Sequence, residues 1–261
     1  MRRASRSRSA IGTFRRRIPA AATVLLAALV LVPSAPAAAH IPVVNDLDTS
    51  RKVIALTIDD GYSPETCLRM ARILREKGAD ATFFPIGKRV RAYPSVWRRI
   101  GRDFPLANHT MYHAILPPLS EEQIRRQIGR QLAIVRKVAP DARMAEFRPP
   151  GGAWSDTVRR VAASFGYRRI LLWDVTNADT SLNGTARGML RRAMAGGPGS
   201  VLLMHCNRPI SAEILPQIID GYRARGFTFV TTTELFGDGS AGGSRTPNPP
   251  PTGRPGAERP L

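Results

Sequence analysis

Two adjacent carboxylates, Asp59 and Asp60, end the apolar run from Val53 to Ile58, and Gly61 follows them. The run is short, rich in β-branched residues and bounded by polar ones, as a buried strand is. Neighbouring side chains at a strand end point to opposite sides. The two acids can therefore hold different jobs, one binding a cation while the other stays free as a base. An Asp-Asp-Gly turn capping the next helix would look the same in isolation. The chain has four histidines. Apart from His40, each lies just past a predicted strand: His109, His113 and His205. His109 and His113 are spaced i, i+4, which on a helical turn aims two imidazoles at one point, as a metal requires. One carboxylate oxygen would complete a facial triad with positions left open for water and substrate. A dication held this way acidifies water and polarises a carbonyl. Arg148, Asp174 and Asp179 are further polar residues that follow predicted strands.

The elements that must position these residues alternate. Helices are predicted over Glu65–Lys77, Pro94–Arg102, Ser120–Val138, Ser155–Phe165, Thr185–Ala195 and Ala212–Arg225. Ser120 with Gln123 forms a capping box, and Gly78, Gly166 and Gly226 stop three of the helices. Strands are predicted over Val53–Ile58, Ala81–Phe84, Phe104–Ala107, Glu146–Arg148, Arg169–Trp173, Val201–Met204 and Phe227–Val230. About seven alternations of strand and helix mean parallel strands, in a barrel or an open doubly wound sheet. In both architectures chemistry sits at the carboxyl ends of the strands, where the flagged residues fall.

Composition sets the surroundings. The chain of 261 residues carries a formal charge of +19; residues 1–40 hold seven arginines and no acid, which leaves +12 for the rest. A basic n-region, an apolar stretch from Ala20 to Val32 and Ala-x-Ala sites before residue 40 have the form of a secretory signal peptide. Export excludes nucleic acid as a natural partner and points to an anionic cell envelope. Residues 41–50 read as a polar lead-in, 51–236 as the catalytic domain, and 237–261 as a disordered Pro/Gly-rich tail. Cys67 and Cys206 make no disulfide framework and no cysteine zinc site, although a single bridge is compatible with export.

Five ordered segments resemble the motifs of the polysaccharide deacetylases, the carbohydrate esterases of family 4. They are Thr57-Ile58-Asp59-Asp60-Gly61, His109-x-x-x-His113, Arg148-Pro149-Pro150-Gly151-Gly152, Trp173-Asp174-Val175 with Asp179, and Leu202-Leu203-Met204-His205. The resemblance spans roughly Lys52 to Phe236. It implies a distorted (β/α)7-8 barrel and metal-dependent hydrolysis of N- or O-acetyl groups on a glycan such as peptidoglycan or chitin. By position, Asp59 would be the general base and Arg148 would orient it. Asp60, His109 and His113 would bind the metal, usually Zn2+, with Co2+ or Ni2+ able to serve. The Gly151 N–H would help hold the oxyanion. His205 would be the general acid, partnered by Asp179. The sequence departs from the pattern where the third motif usually has an aromatic (Gly151) and where the fourth has Asp and Trp (Thr176 and Thr180). These changes bear on substrate fit. They keep two alternatives in play, a glycan-binding barrel without catalysis and an amidase or esterase for a different small substrate.

Overall fold

The computed structural model describes residues 41–144, 146–181 and 183–237. The expected signal peptide over 1–40 and the tail from 238 onward lie outside the described residues. No helix among the described residues is long and apolar enough to cross a membrane.

Strand β2 (Val53–Asp60) organises the molecule, and it extends through both carboxylates. Ile54 to Asp60 are all buried, because both faces of the strand are covered. Ile54, Leu56 and Ile58 pack outward against Met70 and Leu74 of α1 (Pro64–Glu76) and against Leu215 and Ile218 of α7 (Pro209–Ala224). Ala55 points the other way, into an interior shared with Val44, Phe84, Ala107, Leu171 and Val201. Leu235 and Phe236 join that interior from a short helix, α8 (Thr232–Phe236). Period-2 alternation in an unbroken apolar run thus separates a helix-facing layer from a barrel-facing one.

Among the described residues all the strand ladders are parallel. β6 (Val201–His205) lies on one edge of β2, and β5 (Val175–Thr176) lies outside it. The other edge of β2 is shared by β3 (Thr82–Pro85), along its carboxyl half, and β7 (Thr228–Val230), along its amino half. Beyond β3, single parallel bridges at Phe83–Leu106, Asn108–Phe147 and Phe147–Ile170 carry the arc to β4 (Ile170–Leu171), which pairs with β1 (Val43–Val44). The strands therefore form the arc of a distorted (β/α) barrel, with α2 (Gly87–Ala92), α3 (Pro94–Asp103), α4 (Glu121–Val138), α5 (Asp156–Ser164) and α6 (Ala186–Ala193) around it.

Several expectations need correction. Phe104–Ala107 and Glu146–Arg148 are not ladder strands but contribute isolated bridges at Leu106 and Phe147. The polar lead-in contains β1, whose Val43 and Val44 are buried against β4. Two valines among polar neighbours are too short a run to show a period.

Candidate metal centre and active site

The register between β2 and β6 places Asp59 beside His205. In-register residues of neighbouring parallel strands face the same side, roughly 4.8 Å apart. Asp59 is fixed from below by Arg148, which is fully buried and donates from Nη1 to Asp59 Oδ1 at 2.8 Å and to Thr57 Oγ1 at 2.9 Å. Its Nε and Nη2 donate to the carbonyls of Leu171 and Leu172 at 3.0 and 2.9 Å. The guanidinium lies over the Phe84 ring at 4.3 Å and near the Trp173 ring at 5.6 Å. A guanidinium so held cannot swing away, so one oxygen of Asp59 is occupied and the orientation of the other, Oδ2, is set. Oδ2 lies 3.7 Å from His109 Nε2.

Asp60 departs from the strand geometry expected of it. Its φ is +77°, a left-handed value that Asp tolerates better than most residues. The alternation of the strand breaks there, and the two carboxylates do not diverge. Both face the same imidazole: Asp60 Oδ1 is 3.4 Å from His109 Nε2 and 3.4 Å from His113 Nε2. Gly61 continues the turn at φ +97°, and a side chain there would run into the Trp97 ring.

The His109–His113 segment is a loop, not the expected helical turn. Thr110 and His113 take positive φ, and the Thr110 hydroxyl accepts the His113 N–H at 3.1 Å. The loop is pinned by Gly87 and Lys88 N–H, which donate to the carbonyls of Thr110 and Met111. Spacing i, i+4 still brings the rings together, with centroids 5.0 Å apart. His109 Nδ1 donates to the Arg148 carbonyl at 2.8 Å, which leaves the Nε2 lone pair facing Asp60.

Ligand atoms from Asp60, His109 and His113 all lie within 4.8 Å of one another. Asp60 Oδ1 is buried and accepts no hydrogen bond of ordinary geometry, although two ring nitrogens stand near it. Burial works against charge on Asp60; the imidazoles of His109, His205 and His113 outweigh it and hold the carboxyl below the usual range. An ionised, buried carboxylate whose Oδ1 has no donor, opposite two imidazole nitrogens, fits a divalent cation.

On the other side, His205 Nδ1 and Asp179 Oδ1 are 2.7 Å apart. Asp179 Oδ2 accepts the His205 backbone N–H at 2.8 Å and the Ser211 hydroxyl at 2.6 Å. Burial alone would lower the His205 pKa; the bond to Asp179 and the charges of Asp60, Asp179 and Asp59 push it up to about 9. Gly151 lies at φ +62° as the exposed residue of a 3-10 turn, Pro150–Gly152, one residue after Arg148. Its conformation is one that an aromatic residue adopts reluctantly, and Ile115 Cδ1 lies 3.3 Å from where a Cβ would be.

Asp174, grouped with the site by its position after a predicted strand, is elsewhere. It accepts from Ser200 Oγ and the Val201 N–H, both at 2.7 Å, and so ties the start of β6. Asn207 was not foreseen, whereas the single bridge that Cys67 and Cys206 allowed is formed. Asn207 donates to Asp60 Oδ2 at 2.6 Å and accepts the Tyr62 N–H at 3.2 Å. Cys206 forms a disulfide with Cys67 of α1, Cα–Cα 4.9 Å, flanked by backbone hydrogen bonds from Cys206 N–H to Asp59 O and from Ser63 N–H to Cys206 O. The bridge locks the segment carrying His205 and Asn207 to the segment carrying Asp59 and Asp60.

Known proteins resemble this chain in sequence and in fold. The polysaccharide deacetylase family profile matches residues 46–170. A chitooligosaccharide deacetylase of Sinorhizobium fredii is 31% identical, over 62% of this chain and 75% of that protein. Peptidoglycan-N-acetylmuramic acid deacetylase PdaC of Bacillus subtilis is 31% identical over 75% of this chain, which spans 41% of the length of that relative. Among solved structures, a mutant of BA3943, described as a CE4 family pseudoenzyme with restored enzymatic activity, superposes with a TM-score of 0.71 at 26% identity, covering 77% of this chain and 72% of that one. T48 deacetylase with substrate gives 0.66 at 30% identity, covering 72% and 92%. The chain belongs to the polysaccharide deacetylase family.

Proposed function

We propose that this protein is an exported, divalent-cation-dependent deacetylase that hydrolyses acetyl groups of a cell-wall or other extracellular polysaccharide, of the peptidoglycan or chitin-like type. The observation that carries the reading is the buried Asp60, whose Oδ1 accepts no donor yet faces two Nε2 atoms at 3.4 Å. The first forty residues, with their basic and apolar regions, support export.

Asp60, His109 and His113 would hold the cation. When bound it acidifies water, polarises the acetyl carbonyl and carries part of the developing negative charge; Zn2+ suits this ligand set, and Co2+ or Ni2+ can replace it. The chain supplies the proton chemistry. Asp59 Oδ2, set by the Arg148 grip on Oδ1, takes the proton of the attacking water. His205 is protonated near neutral pH and faces the same side from the adjacent strand, so it can give a proton to the departing nitrogen. Asp179 keeps Nδ1 engaged and orients the ring. The Gly151 N–H, at the exposed residue of the turn that follows Arg148 and Pro149, would donate to the oxyanion.

Solved relatives described as pseudoenzymes motivate the other reading, a glycan-binding barrel without turnover. Metal-dependent acetate release separates the two. Wild-type protein, stripped with chelator and reloaded with Zn2+, Co2+ or Ni2+, should release acetate from N-acetylated glycans. Asp59→Asn and His205→Ala should each lower kcat by ~10²–10⁴-fold. Metal and glycan binding without acetate release would favour the binding module. Release from simple acetyl amides or esters, but from no glycan, would favour the small-substrate hydrolase.

A further inference from the structure

A groove of about 340 Å³ opens between α2 and α4, next to the metal-binding loop. Three cations line it and no acid does: Arg91 at the end of α2, with Arg130 and Lys137 on α4. Arg130 and Lys137 are two helical turns apart and share a face. All three are exposed, and among the described residues none has a carboxylate within ion-pair distance. The acids of α4 are spent in its first turn, where Glu121 and Glu122 pair with Arg125 and Arg126. Three like charges around one concavity repel each other and raise the local concentration of anions.

The floor is apolar, formed by Met111 and Ile134, with the Tyr112 ring at the surface. Met111 and Tyr112 are two of the three residues between the histidines of the proposed metal site. Their backbone is fixed on both sides, by Lys88 N–H to the Met111 carbonyl and by the Tyr112 N–H to Gln127 Oε1. A polymer resting on Tyr112 is therefore one residue from His113 along a braced segment. Nothing acidic lies on α2 itself.

We propose that this groove binds the carboxylates of the glycan whose acetyl group is being removed, so that the enzyme prefers an acidic acetylated glycan to a neutral one. The location of the acetyl group rests on the deacetylase reading; the charge of the groove does not. Arg91 and Arg130 offer bidentate forks to a carboxylate, Lys137 a point charge, and Tyr112 a face for a sugar ring. N-acetylmuramyl units carry such a carboxyl, whereas chitooligosaccharides carry none.

The test compares wild type with the R91Q/R130Q/K137Q variant, whose fold is checked by its melting temperature. Three substrates are used: a peptidoglycan oligosaccharide with free carboxyls, the same oligosaccharide with its carboxyls amidated, and a neutral chitooligosaccharide. Wild type should show a KM about tenfold lower for the free acid than for the amide at low salt, the product of three exposed charge contacts of about twofold each, and the difference should shrink at high salt. The variant should lose that preference with kcat unchanged and with its kinetics on chitooligosaccharide unaltered. Equal KM for acid and amide in wild type, or a preference retained by the variant, overturns the proposal. If wild type releases acetate from none of the three, the deacetylase reading fails separately. Fluorescence anisotropy with labelled acidic oligosaccharide then decides the groove, lost binding in the variant supporting it and unchanged binding overturning it. Displacement of that oligosaccharide by poly(glycerol phosphate) at lower concentration than by the unlabelled acid would make the ligand a phosphate polymer and overturn the carboxylate assignment.

Discussion

Two imidazole–carboxylate groups stand on either side of the β2–β6 pair, and they are built differently. Asp179 accepts three hydrogen bonds of 2.6–2.8 Å, two of them from His205. Asp60 Oδ1 faces two imidazoles at 3.4 Å and accepts none from them. The same residue types thus form one group that is complete in itself and one that is not. The difference lies in which ring nitrogen is engaged. His205 turns Nδ1 to its carboxylate, whereas His109 spends Nδ1 on the Arg148 carbonyl and turns Nε2 to Asp60. A buried carboxylate oxygen left without a donor is costly unless something positive enters. On the proposed reading, the first group holds a proton and the second a cation.

The sharpest way to break this distinction is to remove one imidazole from the incomplete group. His109→Ala or His113→Ala should lower kcat/KM by at least ~10³-fold, because the metal contributes several kcal/mol of transition-state stabilisation. Thermal melts give the independent reading. Zn2+ at 100 times its Kd should stabilise wild type by about 2.7 kcal/mol and leave both variants unmoved. His205→Ala should keep the stabilisation. If His205→Ala loses it while His113→Ala retains it, the two groups have been assigned the wrong way round.

Removing the carboxylate from the complete group should have a smaller and pH-shaped effect. A general acid works only while protonated, so the rate falls as pH rises through the His205 pKa. In the metal-free protein that pKa is held up to about 9, against the lowering effect of burial, by the bond to Asp179 and by neighbouring carboxylates. A bound cation offsets part of the Asp60 charge, so the basic limb of the wild-type profile belongs below that value. Asp179→Asn removes a raising contribution and leaves burial in place. The limb should therefore move to lower pH, by about 1–3 units, with kcat near pH 8 down ~10–10²-fold as the protonated fraction drops. A kcat–pH profile checks this. An unchanged limb with a uniformly lower rate would mean that Asp179 only packs the loop.

How far the site could be read from sequence depended on whether each contact was local. β2, α1, α4 and β6 have long, regular patterns with clear caps, and they emerge within a residue or two of the expected ends. β1 and β5 are two residues each, and α2 and α8 are six and five, lengths at which no periodicity accumulates. The residues of the five motifs converge because parallel strands deliver their ends to one face. Their fine geometry was not legible. The left-handed φ of Asp60 and the loop under His109–His113 depend on tertiary contacts, among them Trp97 against Gly61 and the α2 N–H groups against residues 110 and 111. Asp174 was misplaced for the same reason, since its partners, Ser200 and Val201, lie 26 and 27 residues away.

Asn207 gives the smallest expected effect and the finest probe of the comparison. Its Nδ2 donates to Asp60 Oδ2 at 2.6 Å, while its Oδ1 receives the Tyr62 N–H at 3.2 Å, so one amide fixes both the carboxylate and the turn after it. The neighbouring Cys67–Cys206 bridge holds that amide in place. Asn207→Ala should free the carboxylate to rotate without removing any ligand. Metal affinity should fall about tenfold, the lower end of the range for outer-shell partners. Because only occupancy is affected, excess Zn2+ should restore kcat to near the wild-type value, which it cannot do for His113→Ala. A deficit that persists at saturating metal would show that Asn207 acts on the reaction itself, and the line between the cation-holding group and the proton-holding group would have to be redrawn to include the segment after β6.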